Sequence, residues 1–399
     1  MVEPIRAFLD IEASSGIVLV LAAVAALVWV NSPWSDAYHH LFETKLVVGV
    51  GAFRIDETLE HWIADALMAL FFLVVGLEIK QEWVSGELRD RRAAALPALA
   101  ALGGMVVPAA FYLAVNWAGP GAHGWGIPMA TDIAFAVGVL TLLGRRVPSS
   151  LKVFLLTLAI VDDVGAIAVI ALVYSGPLAF GWLAGAVSVL VFTLVLRRRG
   201  VDAIWVHTVL GLALWVCTFE SGVHATLAGV AFALTVPTHV RADADGVVDD
   251  EAEPPAERLV TVLHPWTSYV VLPLFALASA GVALSGHLGA VTGGVVAGLV
   301  VGKVVGITLA SVLAVRLGIG VLPAEVGWPH IVGAGLLAGI GFTVSLFVAG
   351  LAFTDPALVA EAKIGIIIAS VTALVLGSAV LAWASARAPD PVTASSTSG

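Results

Sequence analysis

Charge is scarce in this chain. Asp, Glu, Lys and Arg make up 12% of its 399 residues, against 60% hydrophobic. A soluble globular domain carries about 25% charged residues, and the mean hydropathy of +1.02 lies far on the apolar side. Cysteine is nearly absent. The single Cys217 excludes an internal disulfide and any cysteine-based metal site. The apolar runs lack the alternating polarity of membrane-spanning strands, so a β-barrel is excluded. No cleavable signal peptide is expected: one arginine, Arg6, stands among Glu3, Asp10 and Glu12, and the first apolar run ends at Asn31-Ser32-Pro33 without an A-x-A site. The formal charge of −10 arises largely from polar loops, and nucleic acid is not expected as a partner. No cofactor motif is present, and no enzyme activity is expected.

What the chain does have is apolar runs of seventeen or more residues along almost its whole length. That pattern describes an all-α polytopic membrane protein surrounded by lipid. Twelve spans are expected, at roughly 12–31, 59–84, 94–117, 125–143, 151–174, 178–196, 203–219, 222–237, 265–284, 289–315, 328–350 and 357–384. Alternating sides from the N-terminus, fifteen of the nineteen basic residues collect on the N-terminal side, among them Arg6, Lys80, Arg145, Arg146, Arg241 and Arg387. The other side receives Lys45 and Arg54. Cytoplasmic loops are the basic ones, so both termini are expected in the cytoplasm. Residues 45–58 (KLVVGVGAFRIDET) read as a small extracytoplasmic β-hairpin, which could pair with a second copy or remain an isolated surface turn. Residues 1–387 are expected to form a single transmembrane domain, with 238–258 an acidic, Pro/Ala-rich flexible cytoplasmic linker inside it and 388–399 a disordered tail after it.

The strongest functional statement is VFLLTLAIVDDVGAIAVIALV (153–173), where Asp162 and Asp163 are the only charges. Each aspartate at a helix centre costs about 2.5–3.5 kcal/mol on insertion scales, so a use is implied, and the cheapest is to hold a proton or a small cation. Neighbours on a helix point about 100° apart. Both can therefore reach one polar cavity but cannot stack. In a low-dielectric site the two titrate as a coupled pair. Deprotonated, they offer hard oxygens to a cation, for which sodium and protons would compete.

Two spans carry breakers near mid-depth. WGIPMATDIAFAVGVLTLL (125–143) places Pro128, Thr131 and Asp132 there, and GAGLLAGIGFTVSLFVAG (333–350) places Gly333, Gly335, Gly339 and Gly341 before Thr343 and Ser345. Each is the middle of three spans, so inverted repeats are expected over about 94–174 and 289–384. Half-helix ends would supply opposing partial charges at the site. The alternative is that Gly serves close packing and Pro a kink.

Lys303 is the only lysine deep in a span, and one aspartate is its natural partner, either as a static salt bridge or as a pair that breaks when cation binds. Lys363 lies near a span start, can snorkel and is given no role. Asp65 sits one turn inside its span. Glu78 and Glu82 face the cytoplasm, either as a cation-attracting funnel mouth or as a solvated helix end. His224, at a span start, senses pH or caps a helix. His264-Pro265-Trp266 reads as a helix start with an interfacial tryptophan.

ATDIAFAVGVL, IVDDVGAIAVI, SGVHATLAG, VLHPW, GKVVGI and GIGFT, in this order, resemble the NhaA-type sodium/proton antiporters from the first span to the twelfth. The resemblance implies two crossed, interrupted helices. It also implies electrogenic exchange of cytoplasmic Na⁺ or Li⁺ for external protons at the inner membrane, serving intracellular pH and sodium homeostasis. Asp163 would be the principal cation and proton ligand, with Asp162 its partner in transient Na⁺ binding and the contact of Lys303. Thr131 and Asp132 would lie at the crossing, Asp132 compensating the facing helix ends, with Gly339 and Gly341 in the second break. Glu78, Glu82 and His224 are candidates for pH sensing or the cytoplasmic funnel. A homodimer through the hairpin 45–58 is implied. Val260 and Thr261 stand where family members often carry a Glu-His pair of the pH-sensing region, so a pH profile unlike the family's is expected.

Two rival classes are weaker. An intramembrane aspartyl protease needs its aspartates on separate helices facing one water. A passive sodium channel needs neither a coupled carboxylate pair nor a buried lysine.

Overall fold

The computed structural model describes residues 3–50, 53–144, 147–201, 203–239, 253–284 and 288–386. Arg145, Arg146, Arg241 and Arg387, the tail 388–399 and most of the expected linker (240–252) lie outside the described residues.

The chain is mostly helical. The first helix, α1 (Glu3–Val30), turns by 117° into the short α2 (Ser35–Phe42). A two-stranded antiparallel sheet follows, β1 (Lys45–Val50) with β2 (Phe53–Thr58), in the register Lys45 opposite Thr58 and Val50 opposite Phe53. This is the hairpin expected at 45–58. Next come α3 (Leu59–Val84), α4 (Arg91–Asn116), a 3-10 segment (Pro120–Met129), α5 (Ile133–Leu142), α6 (Ser149–Val173), α7 (Phe180–Arg198), α8 (Ile204–Glu220) and α9 (Leu227–Thr235). The second half holds α10 (Pro255–Ser279), α11 (Ala290–Arg316), α12 (Trp328–Ala338), α13 (Phe342–Ala352) and α14 (Pro356–Ala386).

Seven of these helices are long and apolar enough to cross a membrane, or ten spans if each bent pair counts as one. The two remaining expected spans, 203–219 and 222–237, coincide with the shorter α8 and α9. In hydrocarbon every backbone N–H and C=O must find its partner within the protein, which is why such runs become helices. Helices that are apolar all round then sort by neighbours. On α7 only Ala186 and Thr193 are fully buried, and Phe180, Val187, Val191, Phe192 and Val195 are exposed. On α13 every residue from Phe342 to Ala349 is buried. Exposed tryptophans mark both ends of the bundle, Trp34 and Trp117 at the hairpin end and Trp83, Trp205 and Trp266 at the other, as an aromatic belt at two interfaces would.

One expectation is corrected. His264-Pro265-Trp266 does not start a helix: α10 begins ten residues earlier, with Pro255 in its first turn and Glu257 favouring the N-terminal dipole end. Residues 255–258 are therefore helix, not linker. Pro265 lies inside α10 and cannot donate a ladder hydrogen bond, and a π turn (Thr267–Val271) follows at once. The interfacial part of the expectation holds, since Trp266 is exposed.

Packing brings α11 against α4. A Cβ on Gly103 would strike the Gly306 carbonyl, and one on Gly306 the Gly103 carbonyl, so the two backbones meet where neither carries a side chain. Just before that contact a π turn (Ala297–Gly302) reorients α11, and Lys303 is the next residue.

Candidate functional site

Both expected interruptions are present. The 3-10 segment and α5 meet at 42° across Ala130–Asp132, and α12 and α13 meet at 46° across Gly339–Gly341. The second break needs glycine for a steric reason. A Cβ on Gly339 would collide with the Leu299 carbonyl of α11, and one on Gly341 with the Ser345 hydroxyl.

The two breaks are tied directly to each other. Asp132 N–H donates to the Ile340 carbonyl at 2.7 Å. The Asp132 carboxylate accepts from Phe135 N–H at 3.2 Å, capping its own helix α5. Its second oxygen accepts from Thr343 N–H (2.9 Å) and from the Thr343 hydroxyl (2.5 Å), at the start of α13. One carboxylate thus faces the positive ends of two half-helices, the arrangement that dipole compensation requires. Ser345 donates across the break to the Ile127 carbonyl at 2.8 Å.

Beside this crossing, α6 presents the aspartate pair, 0% and 5% exposed for Asp162 and Asp163. Their surroundings differ, because neighbouring helix positions diverge: Asp162 turns to Lys303 and Thr131, and Asp163 to an adjoining cavity. Asp162 Oδ2 is ion-paired and hydrogen-bonded with the fully buried Lys303 ammonium. Thr131 completes that cluster: its hydroxyl accepts from Lys303 Nζ at 3.0 Å and lies 2.6 Å from Asp162 Oδ2 and 2.9 Å from the Ala338 carbonyl. A hydroxyl has one proton, so it can serve only one of those acceptors at a time. Asp162 Oδ1 is buried without a hydrogen-bond partner among the described residues.

Asp163 instead lines a cavity of about 40 Å³ shared with Glu78, Asp132, His264, Thr267, Ser268 and Thr343. A water needs at least ~10–15 Å³ by this measure, so the cavity has room for a few waters or a partly hydrated cation. His264 Nε2 is 3.8 Å from the Glu78 carboxylate on its wall. No group of three or more His, Cys, Asp or Glu residues among the described residues is arranged to hold a metal ion. A cation here would depend on hydroxyl, carbonyl or water oxygens beside the carboxylates.

Of the sequence candidates, Glu78, Thr131, Asp132 and Asp163 line this cavity, and Thr131 also joins Asp162 and Lys303 behind it. Glu82 does not line it. His224 lies elsewhere, toward the hairpin end, with Nδ1 3.8 Å from Asp65 in a separate pocket. The three candidates grouped for pH sensing therefore do not form one cluster. Lys363 reaches the Glu60 carboxylate at 4.0 Å, near the hairpin. Sequence reasoning missed His264, Thr267 and Ser268 as site residues. The signal that could have found them is three polar positions in one turn of an apolar span.

Comparison with known proteins agrees with the geometry. The family model described as Na⁺/H⁺ antiporter 1 matches residues 6–381. A protein from Frankia alni named Na(+)/H(+) antiporter NhaA 3 is 46% identical, the match covering 96% of this chain and 89% of that protein. Proteins named Na(+)/H(+) antiporter NhaA from Pseudomonas putida strain GB-1 and Acidovorax sp. strain JS42 are each 48% identical. These matches cover 95% and 94% of this chain and 97% and 91% of those relatives. With its interrupted helices, its buried aspartate pair and full-length similarity of this degree, the chain belongs to the Na⁺/H⁺ antiporter 1 family.

Proposed function

We propose that this protein exchanges cytoplasmic Na⁺, or Li⁺, for external protons by alternating access at the aspartate pair. The observation that carries the proposal is the division of labour within it. Asp163 faces a cavity of about 40 Å³ that Glu78 and Asp132 also line, while Asp162 is held by Lys303 and Thr131. A cation entering past Glu78 meets the Asp163 carboxylate first and displaces its proton. Its charge then competes with the ammonium for Asp162, and separation of that pair frees Lys303 to release a proton. Two protons given up against one cation taken makes the exchange electrogenic. Return of protons from the other side re-forms the pair and expels the cation.

Twelve spans fit this reading, counting α8 and α9 with the ten, and the inverted repeats at about 94–174 and 289–384 place the two breaks in equivalent positions. The excess of arginine and lysine away from the hairpin supports cytoplasmic termini in an inner membrane. The hairpin 45–58 would join two copies as a homodimer, and lipid contacts the outward faces of helices such as α7. The roles of Thr131 and Asp132 are to set the pair and to neutralise the crossing, Gly339 and Gly341 allow the break, and Glu78 attracts cation. Glu82 and His224 do not line the cavity that holds Asp163, and His224 lies toward the hairpin end.

Transport assays on purified protein in liposomes test this. Asp163→Asn and Asp162→Asn are expected to insert normally and to lose Na⁺-dependent proton movement. Retained exchange in either variant would overturn the site assignment.

A further inference from the structure

One carboxylate cannot surround a small cation. Asp163 offers two oxygens, and a hard cation in a confined site takes the rest of its shell from hydroxyls, carbonyls and water. The other residues of the cavity wall therefore decide which ion fits. The cavity of about 40 Å³ is lined by Glu78, Asp132 and Thr343, and by His264, Thr267 and Ser268 of α10. A space with room for only a few waters holds an ion close to all of its walls.

The local backbone brings Thr267 and Ser268 to that wall together. They are the first two residues of the π turn (Thr267–Val271), in which Leu272 N–H donates to the Thr267 carbonyl five residues back. Such a turn is wider than an α turn, so successive side chains diverge less and two neighbours can share one wall. Both residues are buried, 3% and 4% exposed, where a hydroxyl without a polar partner is costly.

Their hydrogen bonds leave the oxygens available. The Thr267 hydroxyl donates to the His264 carbonyl at 2.9 Å, and across the cavity the Thr343 hydroxyl donates to Asp132 Oδ2 at 2.5 Å. A hydroxyl has one proton and two lone pairs, so with that proton committed each of these oxygens can only accept. The Ser268 hydroxyl makes no hydrogen bond among the described residues, and its proton is free to turn away from a positive charge. An oxygen whose proton points elsewhere is the kind of donor atom that a cation requires.

We propose that Thr267 and Ser268 are cation ligands that, together with Asp163, set the preference between Na⁺ and Li⁺. The ion then bridges the carboxylate on α6 and the hydroxyls on α10. Li⁺ is the smaller ion and fills its shell with fewer oxygens, so Na⁺ depends more on the α10 hydroxyls; ligand number and cavity size separate like ions in this way. The proposal rests on the antiport reading of Asp163 as the cation site.

The test uses the full-length protein in liposomes and reads the KM for Na⁺ and for Li⁺ from cation-induced proton movement. Ser268→Ala breaks no hydrogen bond among the described residues. It is expected to raise the Na⁺ KM severalfold and the Li⁺ KM less, shifting their ratio toward Li⁺. Thr267→Val should shift the ratio in the same direction, and Thr267→Ser, which keeps the oxygen, should hold it at the wild-type value. Ser370→Ala removes a buried hydroxyl of α14 that does not line the cavity and should also leave the ratio alone. A fall in thermal stability with an unchanged ratio is what packing alone would give, and it overturns the proposal; so does an equal shift in Ser370→Ala. Should Thr267→Val not fold without its bond to the His264 carbonyl, Ser268→Ala decides. Calorimetric titration of Na⁺ and Li⁺ into the purified protein separates the two readings. Wild type that moves no protons in response to sodium refutes antiport, whereas Na⁺ binding weakened more than Li⁺ binding in Ser268→Ala supports the ligands on its own, and unchanged binding overturns them.

Discussion

Removing Lys303 leaves Asp162 with a carboxylate at 0% exposure and only the Thr131 hydroxyl beside it. Breaking a buried pair from one side costs about 3–5 kcal/mol, because the remaining charge stays desolvated. Lys303→Ala is therefore expected to lower the thermal midpoint in detergent sharply. Adding Asp162→Asn should restore much of the loss, since the stranded charge is gone; equal losses in the single and double variants would show that the pair is not coupled. Exchange should be absent in both. Thr131 gives a finer test at the same scale. Thr131→Ser keeps the hydroxyl between Asp162 and the Ala338 carbonyl and should retain exchange, while Thr131→Val should lose most of it. Equal rates in Ser and Val variants would exclude a role for that hydroxyl.

The breaks in the two interrupted spans are held by a few identifiable bonds. Thr343→Val removes the hydroxyl bond to Asp132 and leaves the backbone one; a hydrogen bond to a charged group contributes about 1.5–3 kcal/mol. The expected outcome is a modest fall in thermal stability with a larger fall in exchange rate. Gly339→Ala should be more severe, because the new Cβ meets the Leu299 carbonyl on the helix that carries Lys303. Thermal denaturation and transport of the same preparations check both. At this scale the sequence was informative where chemistry conflicted with environment: Pro128, Asp132 and the Gly339–Gly341 pair stood out because an uninterrupted apolar helix has no use for them. It was uninformative about α10. Pro265 before Trp266 carries a start signal, yet the helix runs through it by means of a π turn, and periodicity in an apolar run does not reveal a π turn. The continuation of α10 through Pro265 brings His264, Thr267 and Ser268 to one cavity wall.

For the whole molecule, the apolar runs made the membrane class legible, because lipid leaves the backbone so few solutions. What the sequence left open was which way each aspartate points. That depends on the approach of α11 to α4 through Gly103 and Gly306, a contact between residues about two hundred positions apart. The hairpin supplies the prediction at this scale. On the proposed pairing of two copies through the hairpin, wild type should sediment as a dimer and a variant lacking residues 46–57 as a monomer with measurable exchange; a monomeric wild type, or a dimer that survives deletion, would contradict that pairing.

On the proposed function Asp163 carries cation and proton in turn, and sodium-induced proton movement in liposomes holding a preset pH gradient reads this with wild type and Asp163→Asn side by side. Sodium should collapse the gradient with wild type and leave it intact with Asp163→Asn. Sodium entry with the gradient untouched in wild type, or an equal collapse in both, would rule that role out.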